Sequence, residues 1–229
     1  MGKLFITLII LLIIGIPTFI VLFLIFKAIA NNNSSQGDRE LDNNKVTVSQ
    51  LQVALSPQAE ELQQELSTLS LRVNTSNTTG LVELMRESVL ILLRHDRAWS
   101  HVLANSNSLH ISHAEETFDK ISFVERSKFS SESLSNVDGN IKTTETVYYE
   151  GEDFPAYVVV TLIFGTADDN PLFNTIHTEI QLKEVLLKLA SMREDYLIKF
   201  ELLWTPQKEN EYLTDDELLM EYTNMIKLV

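Results

Sequence analysis

The sequence predicts an α+β protein: a small mixed sheet with a C-terminal β-α-β unit, helices packed mainly on one face, and one N-terminal transmembrane helix. Three observations predict it. Leu4 to Phe26 is an unbroken run of uncharged, mostly apolar residues, and a hydrocarbon core about 30 Å thick takes about 20 such residues in helical form. Residues 157–165 (YVVVTLIFG) form a strand-length apolar run of the kind found in buried strands. Residues 179–192 then repeat apolar positions at the helical period through Leu182, Val185, Leu186 and Leu189, and residues 196–204 (YLIKFELLW) alternate as a strand does. If the two strands are parallel neighbours, the crossover between them is right-handed. The chain divides into an anchor (1–30), a polar flexible tether (31–44) and a soluble domain (45–229).

For the anchor, the rival reading is a cleaved signal peptide, because Lys3 gives a basic start and Ala28-Ile29-Ala30 fits a small-x-small cleavage site. The apolar run exceeds the roughly 7 to 15 residues of a signal core, which favours a retained span. Gly15 and Pro17 are tolerable in a spanning helix that can kink. Ile6 stands where a myristoylation motif needs Ser or Thr. Lys3 and the terminal amine face Lys27, Arg39 and Lys45 across the span, a near tie that leans towards a cytoplasmic or stromal domain.

Asn31 to Asp38 is too polar to pack, hence a tether. Residues 45–55 (KVTVSQLQVAL) are rich in β-branched side chains and predict a strand. Ser56 as N-cap and Pro57 at the first helical position predict a helix running through AEELQQELSTLSL. Asn74 to Gly80 breaks it, and residues 81–95 form a second helix, apolar over most of its circumference and so central to the core. Residues 97–105 read as a short strand and 110–121 as a helix with Phe118 and Ile121 inward. Ser122 and Glu125 fit a capping box opening another short helix that fades near Ser135, before a turn at Val137 to Asn140. Thr214-Asp215-Asp216-Glu217 is a second capping box, opening a last helix to about Tyr222.

All the acidic residues lie beyond Ala30, so the domain is more negative than the whole chain, whose formal charge is −14. Such a domain repels a polyanion, and no stripe of basic and aromatic residues appears, so nucleic acid and anionic headgroups are poor partners. A basic protein partner suits it, and so does the simpler reading that acidity keeps the domain soluble. With no cysteine, disulfides, thiolate nucleophiles and thiolate metal sites are all excluded.

LQVAL at 51–55, ESVLILLRH at 87–95, ERSKFSSESLSNV at 125–137, YVVVTLIFGTA from Tyr157 and LWTPQKENEYLTDDELLMEY from Leu203 together resemble the DUF1517 family. That family comprises uncharacterised membrane-associated proteins of cyanobacteria and plastids. Trp204 and Pro206 make the last segment the most specific. The resemblance implies an oxygenic phototroph and a thylakoid, plasma-membrane or plastid-membrane setting, and carries over no catalytic residue or cofactor. Two departures stand out: an Asn-rich stretch replaces a Gly-rich one near the membrane region, and Asp96 follows His95 where the family often has Pro.

The segment Trp204, Pro206, Gln207, Glu209, Asn210 and Tyr212 is the candidate partner-binding site, with an aromatic at a strand end, a Pro-fixed turn and polar groups before a capped helix. The plainer alternative is that Trp204 seals the core. His110 and His113 with Glu115 and Glu116 suggest a metal-assisted hydrolase only faintly, for they lack the HExxH spacing and a third ligand. His95 fits a helix C-terminal cap better than a general base. No G-x-S-x-G elbow is present, and GTADDNPLF after the 157–165 strand lacks the glycines and lysine of a phosphate cradle. Asp168 and Asp169 read as a solvated acidic loop rather than a calcium site. The chain therefore reads as a membrane-anchored accessory or regulatory protein without catalytic activity or cofactor, with a tethered hydrolase or small-molecule sensor as the competing classes.

Overall fold

Every strand pairing in the sheet is antiparallel, which overturns the expected mixed sheet and β-α-β unit. The computed structural model describes residues 40–59, 61–134 and 156–229. The expected anchor, most of the tether and the turn at Val137 to Asn140 lie outside the described residues. Among the described residues no helix is long and apolar enough to cross a membrane. The chain forms two units, Met1–Asn44 and Lys45–Val229. Of the first, a short 3-10 helix at Glu40–Asp42 is described.

The second unit runs β1 (Lys45–Leu55), α1 (Leu62–Arg72), α2 (Thr78–Arg94), β2 (Trp99–His110), α3 (Ile111–Leu134), β3 (Ala156–Thr166), α4 (Glu179–Ala190), β4 (Leu197–Thr205), β5 (Leu213–Thr214), α5 (Asp215–Glu221) and β6 (Ile226–Lys227). The strand order is β4-β3-β1-β2-β6, with β5 beside β3. β1 and β3 are central, and from Val46 and Tyr157 onward every residue of these strands is buried. The sequence accordingly gives β3 a nearly continuous apolar run, whereas β1 buries Ser49, Gln50 and Gln52 among its apolar residues.

Strand alternation divides the core in two. On one face Leu51, Val53, Leu55, Val158, Val160, Leu162, Phe164, Phe200 and Trp204 pack against Leu62, Leu66 and Leu69 of α1, Met85, Val89 and Leu92 of α2, and Leu182, Leu186 and Leu189 of α4. Each buried leucine contributes about 1.5–3 kcal/mol. On the other face Phe118 of α3 meets Val48, Ile163 and Leu203, while Leu218 and Tyr222 meet Ala54, Tyr157 and Val159. Helices thus cover both faces, not mainly one. At Gly165 a Cβ would sit 3.3 Å from the Lys199 Cβ of β4, closer than ordinary contact, while the Phe118 ring at 3.8 Å would only touch it.

Three further expectations change. Ser56 does not cap a helix: its N–H continues the strand ladder to Ala98 O at 2.8 Å and its carbonyl accepts from Ala59 N, so α1 starts only at Leu62. The short 97–105 strand extends to His110, because Ser106 and Ser108 bond across to Ser49 and Thr47 at 2.7 and 2.8 Å. The two short helices expected over 110–135 are the single helix α3. The Asn74–Gly80 break is real, and Asn77 caps α2 by accepting from Gly80 N at 2.8 Å. Between β3 and β4, Ala167 N donates to Tyr196 O at 2.9 Å, so the connection through α4 returns to the end of the sheet it left. That return makes β4 antiparallel to β3.

Candidate functional site

The loop between β4 and β5 is held from beneath by one side chain. Gln63, in the first turn of α1 and 6% exposed, donates from Nε2 to the carbonyls of Pro206 (2.9 Å), Lys208 (2.8 Å) and Glu211 (3.0 Å). Two amide hydrogens serve three acceptors, so one bond is shared. The loop closes further through Glu211 N to Lys208 O at 3.2 Å, and Asn210 adopts a left-handed φ of 63°. The Thr205–Pro206 bond is cis.

This geometry splits the sequence-derived site. Trp204 and Pro206 are buried, with the Trp204 ring in the main core. Tyr212 is half-buried and packs on the same core. Gln207, Glu209 and Asn210 are exposed on the pinned loop, beside the Lys208–Glu211 ion pair. After β5, α5 opens with the expected capping box: Thr214 Oγ1 accepts from Glu217 N, and the Glu217 carboxylate accepts from Thr214 N at 2.8 Å. Asp215, Asp216 and Glu217 are exposed, as are Leu219 and Met220. A fixed polar loop followed by an acidic, partly apolar helix offers recognition chemistry.

His110 and His113 are not brought together with further ligands. His110 ends β2, its Nδ1 within 2.8 Å of Ser112 Oγ and accepting from Ser112 N, while His113 lies exposed in α3. Among the described residues no group of three or more His, Asp or Glu is placed to hold a metal ion. His95 is the C-cap of α2 as expected, with Nε2 3.2 Å from Glu65 Oε1. Partial burial works against ionisation of Glu65, but Arg94 and then His95 hold its carboxyl below the usual value. The cleft between α1 and α2 beside them is lined by Leu69 and Ile91 together with the charged Arg72, Glu87 and Arg94.

Two polar clusters escaped the sequence reading. Under α3, the Glu125 carboxylate accepts from Gln50 and Gln52 at 2.9 Å each and from Lys128 at 2.8 Å, and Gln52 also reaches Thr161 Oγ1. Lys128 Nζ lies 3.8 Å from the centre of the Tyr222 ring. Alternating Gln50 and Gln52 inside a strand are the visible trace of this buried network. At the junction with α5, Ser100 Oγ is 2.9 Å from His101 Nδ1 and the His101 ring packs edge-on against Tyr157 at 5.5 Å. Burial raises the Tyr157 hydroxyl, reinforced by Asp215, and burial with Lys227 lowers His101.

These features define an α+β module, and its sequence places it in a family. The chain belongs to the DUF1517 family, described as a protein of unknown function, whose model matches residues 45–228; the resemblance read from the LWTPQ segment and its companions is therefore correct. It is similar to Protein FLAP1 homolog A of Synechocystis sp., 31% identical over 214 residues that cover 88% of this chain and 64% of that one. It is also similar to FLUCTUATING-LIGHT-ACCLIMATION protein 1, chloroplastic, of Arabidopsis thaliana, 35% identical over 194 residues, 83% of this chain and 49% of that one. The chain thus spans only part of each of these curated relatives, and no solved structure matches it.

Proposed function

We propose that this protein is a membrane-tethered, non-catalytic accessory factor in acclimation to changing light, acting at a photosynthetic membrane by binding another protein. The observation that carries the reading is the pair of relatives, one cyanobacterial and one chloroplast protein, matched over most of this chain, the latter named for light acclimation. The apolar run from Leu4 to Phe26 supports a membrane tether. The docking surface is the exposed Gln207, Glu209 and Asn210 of the pinned loop with the acidic start of α5, a combination suited to a partner bearing basic groups. Neither relative's name denotes a reaction.

The test is replacement in a Synechocystis strain lacking FLAP1 homolog A. The full chain is expected to restore growth under alternating bright and dim light, and a chain beginning at Asn31 is expected not to. Equal rescue by both chains sinks the tether, and rescue by neither sinks the role.

A further inference from the structure

The two edges of the sheet are treated differently. β4 carries Lys199 and Glu201 along its length, paired with Asp119 and Arg126 of α3, and Pro206 follows it. Charges and proline of this kind keep a strand edge from recruiting another strand. β2 has a short cover: β6 pairs only with His101 and Val102. Among the described residues, 103–110 pair with β1 alone. That stretch, LANSNSLH, holds no Lys, Arg, Asp, Glu, Pro or Gly.

The free side of this edge follows from the ladder. Ser100 O accepts from Leu228 N on the outer side at 2.8 Å, so by alternation the N–H and C=O groups of Ala104, Ser106 and Ser108 also point outward. Asn105 and Asn107 are exposed on one face, with Asn107 Nδ2 donating to Asn105 Oδ1 at 2.7 Å. Ser106 and Ser108 point to the other face, tied to Ser49 and Thr47. The edge is extended and carries no Lys, Arg, Asp or Glu.

We propose that the outer edge of β2 is a self-association seam, where a second copy of this chain adds its own β2 antiparallel about Ser106. In that register Ser106 opposes Ser106 of the second copy, Asn105 opposes its Asn107, Ala104 its Ser108 and Leu103 its Leu109. Serine meets serine at the centre, asparagine meets asparagine beside it, the small Ala104 meets Ser108, and leucine meets leucine at both ends. The outward N–H and C=O groups of Ala104, Ser106 and Ser108 find partners in the same groups of the other copy. The two-fold axis leaves no edge open to further addition at this seam. A neutral seam also suits a chain of formal charge −14, because a charged edge would add local repulsion to the repulsion between whole copies. The inference is independent of the light-acclimation reading.

The chain has no native cysteine, so engineered thiols report the register directly. Asn105→Cys and Asn107→Cys chains, full length in detergent, are mixed and oxidised. Directly opposed Cα atoms about 4.5 Å apart in a non-hydrogen-bonded pair fall within the roughly 4.4–6.8 Å that a disulfide spans. The mixture is expected to form dimers several-fold faster than either chain alone or than Leu219→Cys, an exposed control on α5. In sedimentation, the double change Asn105→Asp with Asn107→Asp sets carboxylates against carboxylates and is expected to weaken association at least tenfold. Circular dichroism verifies that each variant folds. Raising salt from about 0.05 M to 0.5 M is expected to tighten the native dimer by screening repulsion. A mixture no faster than the Leu219→Cys control, or association indifferent to the double aspartate change, overturns the proposal.

Discussion

Replacing Gln63 by Leu isolates what one side chain does for the candidate site. The change keeps the volume of a buried position and removes the donor that the Pro206, Lys208 and Glu211 carbonyls share. Two amide hydrogens at about 1 kcal/mol net each, with about 1–3 kcal/mol for a buried Pro206 carbonyl left without a donor, total about 2–4 kcal/mol after allowing for the apolar gain of leucine. A domain of this size loses about 2–4 °C of Tm per kcal/mol, so a fall of roughly 5–15 °C is expected. Thermal unfolding of the full chain in detergent, followed by circular dichroism, reads it. Amide exchange should accelerate most in residues 206–211. Gln63→Glu, which turns a carboxylate towards three carbonyls, should be worse. A Gln63→Leu chain melting within about 1 °C of the native protein, with loop exchange unchanged, would refute the staple.

Three further predictions follow from the fold. Glu125→Ala leaves Lys128 and two glutamines without their shared acceptor and should cost about 3–5 kcal/mol in urea unfolding, whereas Glu125→Leu with Lys128→Met should recover most of it. His101 is held below the ordinary imidazole value of 6.5, so its contribution is complete above about pH 6.5 and is lost as pH falls towards the folded value. Urea midpoints between about pH 7.5 and 5.5 should therefore drop more for the native chain than for His101→Phe. Gly80→Ala places a Cβ 1.9 Å from the Asn74 carbonyl; the backbone must shift, and thermal unfolding should show a loss of more than about 1 kcal/mol.

Local pattern was decisive where local interactions decide structure. Residues 45–55 are β1 to the residue, and Thr214 with Glu217 caps α5 as its spacing required. The sequence misled where distant atoms compete with a local signal. Ser56-Pro57 has the composition of a helix start, but Ala98 claims the Ser56 N–H for the sheet. The Asn- and Ser-rich half of β2 lacks strand propensity and is made a strand by hydroxyl bonds to β1. α3 shows only a weak apolar stripe because part of its buried face is Glu125 set against glutamines and a threonine. Periodicity identifies strands but not their direction, so the β3-α4-β4 segment was open to a parallel reading. In the candidate site, the inward placement of Trp204 was legible as one of two alternatives. The staple was not, since Gln63 is far from the loop in sequence and ordinary in type.

We propose that a partner docks on the loop pinned by Gln63. Gln207→Ala, Glu209→Lys and Asn210→Gly together alter its exposed surface while sparing Gln63 and the buried Trp204 and Pro206. The most direct measurement is growth under alternating light of the Synechocystis replacement strain carrying this triple variant, with its thermal stability checked in parallel. Loss of rescue at unchanged melting temperature is the result expected; full rescue by a stable triple variant would rule this loop out as the docking surface.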